Sequence, residues 1–194
     1  MSVAAVGGGE ARGLARFLEY VGRLKSLPRT GWRDRGVPAP DVESVADHTL
    51  RVALLAWLTA EQAAQRGEPL DPNRVLQLAL VHDLAEALAG DIPPYDPALL
   101  PPADDAAARR AFLDRRHRRA PARDAAKRAA EARALAAMTA GLPADLRRLV
   151  ADRWQEATDR ASREARWVKQ CDLLETWLQS REYLAASPDL PMAS

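Results

Sequence analysis

The chain has 194 residues, a formal net charge of +1, few aromatic residues and one cysteine, Cys171. That length suits one domain with a core of its own. The near-neutral charge removes the electrostatic case for a nucleic-acid or membrane-surface protein, and the lone cysteine excludes an intramolecular disulfide or a cysteine-cluster zinc site.

A reduced, cytoplasmic setting is expected. No apolar run approaches the ~18–20 residues of a membrane span. Met1 to Glu10 has neither the basic start nor the apolar stretch of a secretory signal. Gly7, Gly8 and Gly9 read as part of a flexible tail over residues 1–10. Nothing strand-like precedes them and no Lys-Ser/Thr pair follows, as a phosphate loop would require.

Ala, Leu, Arg and Glu dominate the composition and favour helix. The periodicity predicts a first helix over Ala11–Lys25, with Leu14, Phe17, Leu18 and Val21 on one face. Pro28 to Pro40 is punctuated by proline and glycine and is expected to be a loop. A second helix starts between Asp41 and Ser44, where Ser44 and Asp47 have the spacing of a capping box, and ends near Gly67. Asp71-Pro72 opens a third helix predicted to run to Ala89, with Gly90 as its stop. After an irregular stretch to Pro102, further helices are expected over Asp104–Arg119, Asp124–Thr139, Leu142–Thr158 and Ser162–Ala186. The result is an all-α helical bundle of about six to seven helices. One domain spans residues 11–186, and a short tail covers 187–194.

Several polar residues sit where an apolar face is expected. The third helix is apolar nearly all round, so it should be buried. Yet it carries His82, Asp83 and Glu86, and a buried unpaired carboxylate costs several kcal/mol. His48 shares a face with Val45, Val52 and Leu55. Asp172 stands in the largely apolar run Val168–Leu174. Singly, each reads as a hydrogen-bonded core histidine or a capping or surface aspartate. Together, two histidines and two aspartates from three helices make an N₂O₂ set suited to a divalent ion.

The segments Ser44–His48, Leu80–Glu86, Gly90–Pro93 and Val168–Asp172 resemble the H…HD…D signature of HD-domain hydrolases. They are closest to the 5′-deoxynucleotidase branch, whose arginine–tryptophan segment is matched by Arg29-Thr30-Gly31-Trp32. Leu142–Arg147 and Glu164–Arg166 fit the same branch, and the similarity runs from about Phe17 to Tyr183. The resemblance implies that His48, His82, Asp83 and Asp172 hold one divalent metal, with Mn, Co, Fe or Zn favoured and Mg allowed. It implies that Glu86 acts on a water and that Asp91 faces the leaving oxygen. Arg29 would grip the phosphate and Trp32 would shape the sugar pocket. Asp83, Ile92, Pro93 and Pro94 would complete the substrate surface. The implied reaction is hydrolysis of a (deoxy)nucleoside 5′-monophosphate, by a homodimer with no nucleic-acid or membrane partner.

Pro97–Arg123 is longer and richer in arginine than the resemblance leads one to expect. It reads as a solvated face, with a phosphate-attracting lid as the alternative. Gln155 and Thr158 stand where acids are expected. Trp154, Trp167 and Trp177 suit either core or a dimer contact. Three other functions compete with the implied one. A di-iron oxygenase needs more ligands than three histidines supply, since His117 lies in the arginine run. An inactive nucleotide-binding regulator sits poorly with Glu86 and Asp91 both present. A hydrolase for a different phosphate ester is separated only by loop residues.

Overall fold

The structure is a computed structural model that describes residues 8–190. Its helices are α1 (Gly8–Arg23), α2 (Thr30–Asp34), α3 (Val45–Gln65), α4 (Pro72–Val81), α5 (Glu86–Ala89), α6 (Ala106–Leu113), α7 (Pro121–Thr139), α8 (Ala144–Asp159) and α9 (Arg163–Ala186). Among the described residues the only β pairing is one antiparallel bridge, Pro28 with Ser44. No helix there is long and apolar enough to cross a membrane. The expected all-α bundle is what forms.

Local signals set several boundaries. Ser44 and Asp47 close the capping box reciprocally at the start of α3. Asp71 caps α4 through the amides of Asn73 and Arg74, with Pro72 at the first helical position. Gly67 and Gly90 end their helices at φ +88° and +80°, a backbone region that glycine enters freely.

Four expectations need correction. The third helix is not continuous to Ala89. It stops at Val81, and residues 82–85 form tight turns closed by i→i−3 bonds such as Leu84 N to Val81 O. Neither proline nor glycine causes the break. The carbonyl of Ala79, which a continuous helix would offer to the N–H of Asp83, is engaged at 2.7 Å by His82 Nδ1. The loop before α3 contains the short α2, which begins at Thr30. The helix expected over Asp104–Arg119 covers only Ala106–Leu113, after an Asp105 cap. On α1, Leu14 and Leu18 face solvent, while Phe17, Tyr20 and Val21 pack inward, so the buried stripe is rotated from the expected one. Of the tail expected over 1–10, the part from Gly8 is helical and residues 1–7 lie outside the described residues. At the other end, Leu190 packs on Trp32, Val37 and Tyr183.

The core is divided. One apolar cluster joins α3, α4 and α9 through Val52, Ala56, Ala60, Val75, Leu78, Ala165 and Val168. Its many alanines let the helix axes approach closely. A second cluster gathers Val45, Leu135, Met138 and Trp154 from α3, α7 and α8, with Leu24 just after α1 and Leu84 from the turn before α5. Burying such side chains contributes roughly 1.5–3 kcal/mol each for the larger ones. On α1, Gly13 meets the α7–α8 loop so closely that an added Cβ would lie 1.8 Å from the carbonyl oxygen of Gly141.

Candidate metal and phosphate site

The expected ligand residues all fall on the seam between the two apolar clusters. His48 lies one turn from Val45 of one cluster and one turn from Val52 of the other. His82 and Asp83 stand between Ala79 and Leu84, and Asp172 follows Cys171. Here the apolar packing changes partners, and polar side chains reach one another.

The structure brings the four together. His48 Nε2 is 3.2 Å from Asp172 Oδ1 and 3.8 Å from Asp83 Oδ2, and His82 Nε2 is 3.1 Å from the same Asp83 oxygen. Potential donors from His48, His82 and Asp83 lie within 4.8 Å of one another. Both Nε2 atoms are buried and make no aligned hydrogen bond. The other nitrogen of each ring is already engaged: His48 Nδ1 with Glu175 Oε2 at 2.6 Å, His82 Nδ1 with the Ala79 carbonyl. Two imidazoles with Nδ1 fixed from behind and Nε2 unpaired, aimed at two carboxylates, form a donor set that fits a divalent cation. A second acidic group, Glu43, His48 and Glu175, is also compact. One oxygen of Glu43 is taken by Trp32 and one of Glu175 by His48, so this group backs the site.

The pKa shifts report a strongly negative field, which a proton answers here and a bound cation would answer in its place. Burial opposes charge on His48, but Asp172 and Glu175 outweigh it and push its pKa up to about 9. Burial would also raise Asp83, yet His82, Arg29 and His48 hold it well below the usual carboxylate range. Asp172 is held low by His48 and Lys169 against the same burial. Glu86 goes the other way. Burial, then Asp83 and Asp91, push it well up, and Lys127 and Arg29 only partly oppose this. Its Oε2 is buried without a partner, and Lys127 Nζ stays 3.9 Å from Oε1.

Arg29, one residue before α2, sets its guanidinium 3.3 Å from Asp83 Oδ2. The amide of Thr30 donates to Asp91 Oδ2 at 2.6 Å, and its hydroxyl donates to the Asp91 carbonyl at 2.8 Å. The α2 turn and the loop after α5 are thus one unit. A cavity of about 420 Å³ opens beside it, lined by Arg29, Trp32, Asp91, Ile92, Pro93 and Pro94, with Tyr95, Leu173 and Trp177 on its far walls. Trp32 borders this cavity but is mostly buried. Its Nε1 donates to Glu43 at 2.7 Å and its ring meets Tyr183 edge-on.

The arginine-rich segment is divided: Arg115, Arg116 and Arg118 are exposed, as a solvated face requires, while three other arginines hold backbone carbonyls. Arg109 donates to the carbonyls of Asp34 and Pro101, and Arg110 to those of Asp189 and Leu190. Arg119 donates to Ile92 and Pro93. These side chains staple loops that have few backbone partners of their own. His117 lies against Tyr95 and Phe112 and is engaged with the Phe112 carbonyl, away from the ligand cluster.

Several site residues escape the sequence reading. Glu175 is partly legible, since it follows Asp172 by three on the same face of α9. Glu43 and Lys127 give no local signal, because their roles depend on contacts far along the chain.

The HD domain family profile matches residues 21–190. The chain is 39% identical over 181 residues to 5′-deoxynucleotidase HDDC2 of Mus musculus, covering 93% of this chain and 75% of that protein. It is 38% identical over 183 residues to the Homo sapiens protein of the same name, covering 94% and 74%. A solved structure, a conserved hypothetical protein from Pyrococcus furiosus, superposes with a TM-score of 0.63 at 29% identity over 89% of this chain and 84% of that one. With the profile spanning most of its length and these relatives aligned along it, the chain belongs to the HD domain family.

Proposed function

We propose that the protein is a metal-dependent phosphohydrolase that converts deoxynucleoside 5′-monophosphates to nucleoside and phosphate. One observation carries this reading: two unpaired buried imidazole nitrogens converge with two carboxylates beside Arg29, at the edge of an apolar-walled cavity. The 5′-deoxynucleotidase relatives support the substrate class.

His48, His82, Asp83 and Asp172 would hold one divalent ion, of the Mn, Co, Fe or Zn kind or Mg. Such an ion supplies Lewis-acid polarisation and makes water acidic enough to ionise near neutral pH. The chain's own groups do the rest. Arg29 presents a fixed fork of donors that binds the phosphoryl oxygens. Glu86 and Asp91 form the acid–base pair. One takes a proton from the attacking water, and the other delivers one to the departing 5′ oxygen. The Thr30 amide fixes Asp91 for its part. Trp32, Ile92, Pro93 and Pro94 wall the sugar and exclude bulk water, which strengthens every charge interaction inside.

We further propose a homodimer. Leu50, Leu54 and Leu58 on α3, and Leu174, Trp177 and Leu178 on α9, are large apolar residues left in solvent on two helices that pack together. A strictly monomeric mass by light scattering at micromolar concentration would refute it. The catalytic reading is tested by phosphate release from a panel of ribo- and deoxynucleoside monophosphates with several divalent ions. Ion-dependent hydrolysis of the deoxy compounds is expected. No release from any monophosphate with any ion would overturn the reading.

A further inference from the structure

Two cavities flank the Arg29–Asp83 pair, and one of them is lined by ligand residues. The larger one holds Arg29 and Asp91 in its wall. A second, of about 140 Å³, approaches between α7, the end of α8 and the start of α9, and is lined by His82, Asp83, Lys127, Arg160, Lys169 and Asp172. The Arg29–Asp83 ion pair stands between them, one residue lining each. The second cleft is a space of about 140 Å³. It falls well below the ~300 Å³ at which pockets for organic molecules begin. The space suits a small oxyanion.

Three cations and three carboxylates, Glu131 among them, line this cleft, and one cation is left over for a guest. Lys127 is paired with Glu131, and Lys169 with Asp172 at 2.6 Å. Arg160 makes no ion pair among the described residues. It is also the one described non-glycine residue with positive φ, at φ 53° and ψ 39°, where it caps α8. Glycine fills that cap position at no steric cost and arginine does not. A strained residue that lines the cleft holding His82, Asp83 and Asp172 points to a use for its side chain.

We infer that this second cleft is a port for inorganic phosphate. Product phosphate is held at its mouth by Arg160 and leaves through it, while the nucleoside leaves by the larger cavity. The inference rests on the phosphohydrolase reading and adds a separate exit for one product. Hydrolysis leaves phosphate deep at the ligand cluster, with the nucleoside between it and the larger opening. A back exit frees phosphate without waiting for the nucleoside.

The test uses full-length protein loaded with the divalent ion that supports activity. Inorganic phosphate is titrated calorimetrically into wild type, Arg160→Gly and Arg160→Lys. The glycine variant removes the charge while relieving the backbone, so its Tm should match or exceed wild type. Its phosphate affinity should fall by about fivefold or more, and lysine should restore most of the loss. Affinity for the deoxynucleoside should not change in any variant. In wild type, the phosphate release rate, followed with a fluorescent phosphate reporter, should be the same with and without saturating deoxynucleoside. Wild-type phosphate affinity in Arg160→Gly overturns the port, as does a release rate that nucleoside slows. If wild type hydrolyses no monophosphate while Arg160→Gly still loses phosphate affinity, the binding role stands and the nucleotidase reading falls instead.

Discussion

Glu175→Gln tests whether the buried carboxylate behind His48 sets the affinity of the site. Glu175 is 1% exposed; its Oε2 lies 2.6 Å from His48 Nδ1, and Arg51 Nε lies 3.0 Å from its Oε1. That second contact is a charge pairing without hydrogen-bond alignment, since Oε1 has no bonded partner. Glutamine keeps the shape but carries one acceptor and one donor. If its oxygen faces His48, its NH₂ group faces the Arg51 guanidinium, donor against donor. If it flips, His48 must surrender its Nδ1 proton, and the proton moves to the Nε2 that the ion needs. Either way the ring loses its anionic backing. Outer carboxylates of this kind are worth about 10–100-fold in metal affinity, or roughly 1.4–2.8 kcal/mol. The assay is competition for the ion against a chromophoric chelator, with circular dichroism to show that the metal-free variant is folded. A folded Glu175→Gln protein that binds the ion within threefold of wild type would refute the reasoning.

Three further outcomes are expected. Arg29→Ala should raise KM and lower kcat/KM by more than about tenfold, roughly 1.4 kcal/mol, in steady-state kinetics on a deoxynucleoside monophosphate; unchanged constants would return Arg29 to a purely structural role beside Asp83. Asp83→Ala should lose both ion and turnover, while Glu86→Gln keeps the ion by elemental analysis and loses turnover; wild-type turnover in Glu86→Gln would remove that residue from the mechanism. Gly13→Ala should cost about 1–3 kcal/mol, because its methyl would overlap the Gly141 carbonyl; thermal denaturation should show Tm at least about 2 °C lower, and an unchanged Tm would mean that the contact yields freely.

What was legible in the sequence was what depends on near neighbours. The Ser44–Asp47 box and the Gly90 stop need only a few residues of chain to form, and both stand where their spacing puts them. The burial of His48 followed from its helical register with Val45 and Val52, all three of which are fully buried. The break after Val81 left no such mark. It depends on one side chain taking a backbone acceptor, and periodicity carries no information on which acceptor a histidine will choose. Arg109 and Arg119 were illegible for a similar reason, whereas Arg115, Arg116 and Arg118 are exposed as expected. The charge of the first two suggests water, but their partners are carbonyls of loops distant in the chain, such as Ile92 and Asp34. Trp32 was readable as a pocket residue by resemblance alone; its bond to Glu43 needed the fold.

The contact between Gly13 and Gly141 also bears on how the chain can change by mutation. An added Cβ at Gly141 would sit 3.1 Å from the Gly13 Cα, a milder overlap than the reverse case. Both methyl groups press on the same separation between α1 and the α7–α8 loop. Once the first has forced the two apart, the second finds the space already opened, so their costs are less than additive. The two positions are therefore epistatic. A drift that begins at Gly141 is tolerated early and lowers the barrier at Gly13, whereas one that begins at Gly13 meets nearly the whole penalty at its first step.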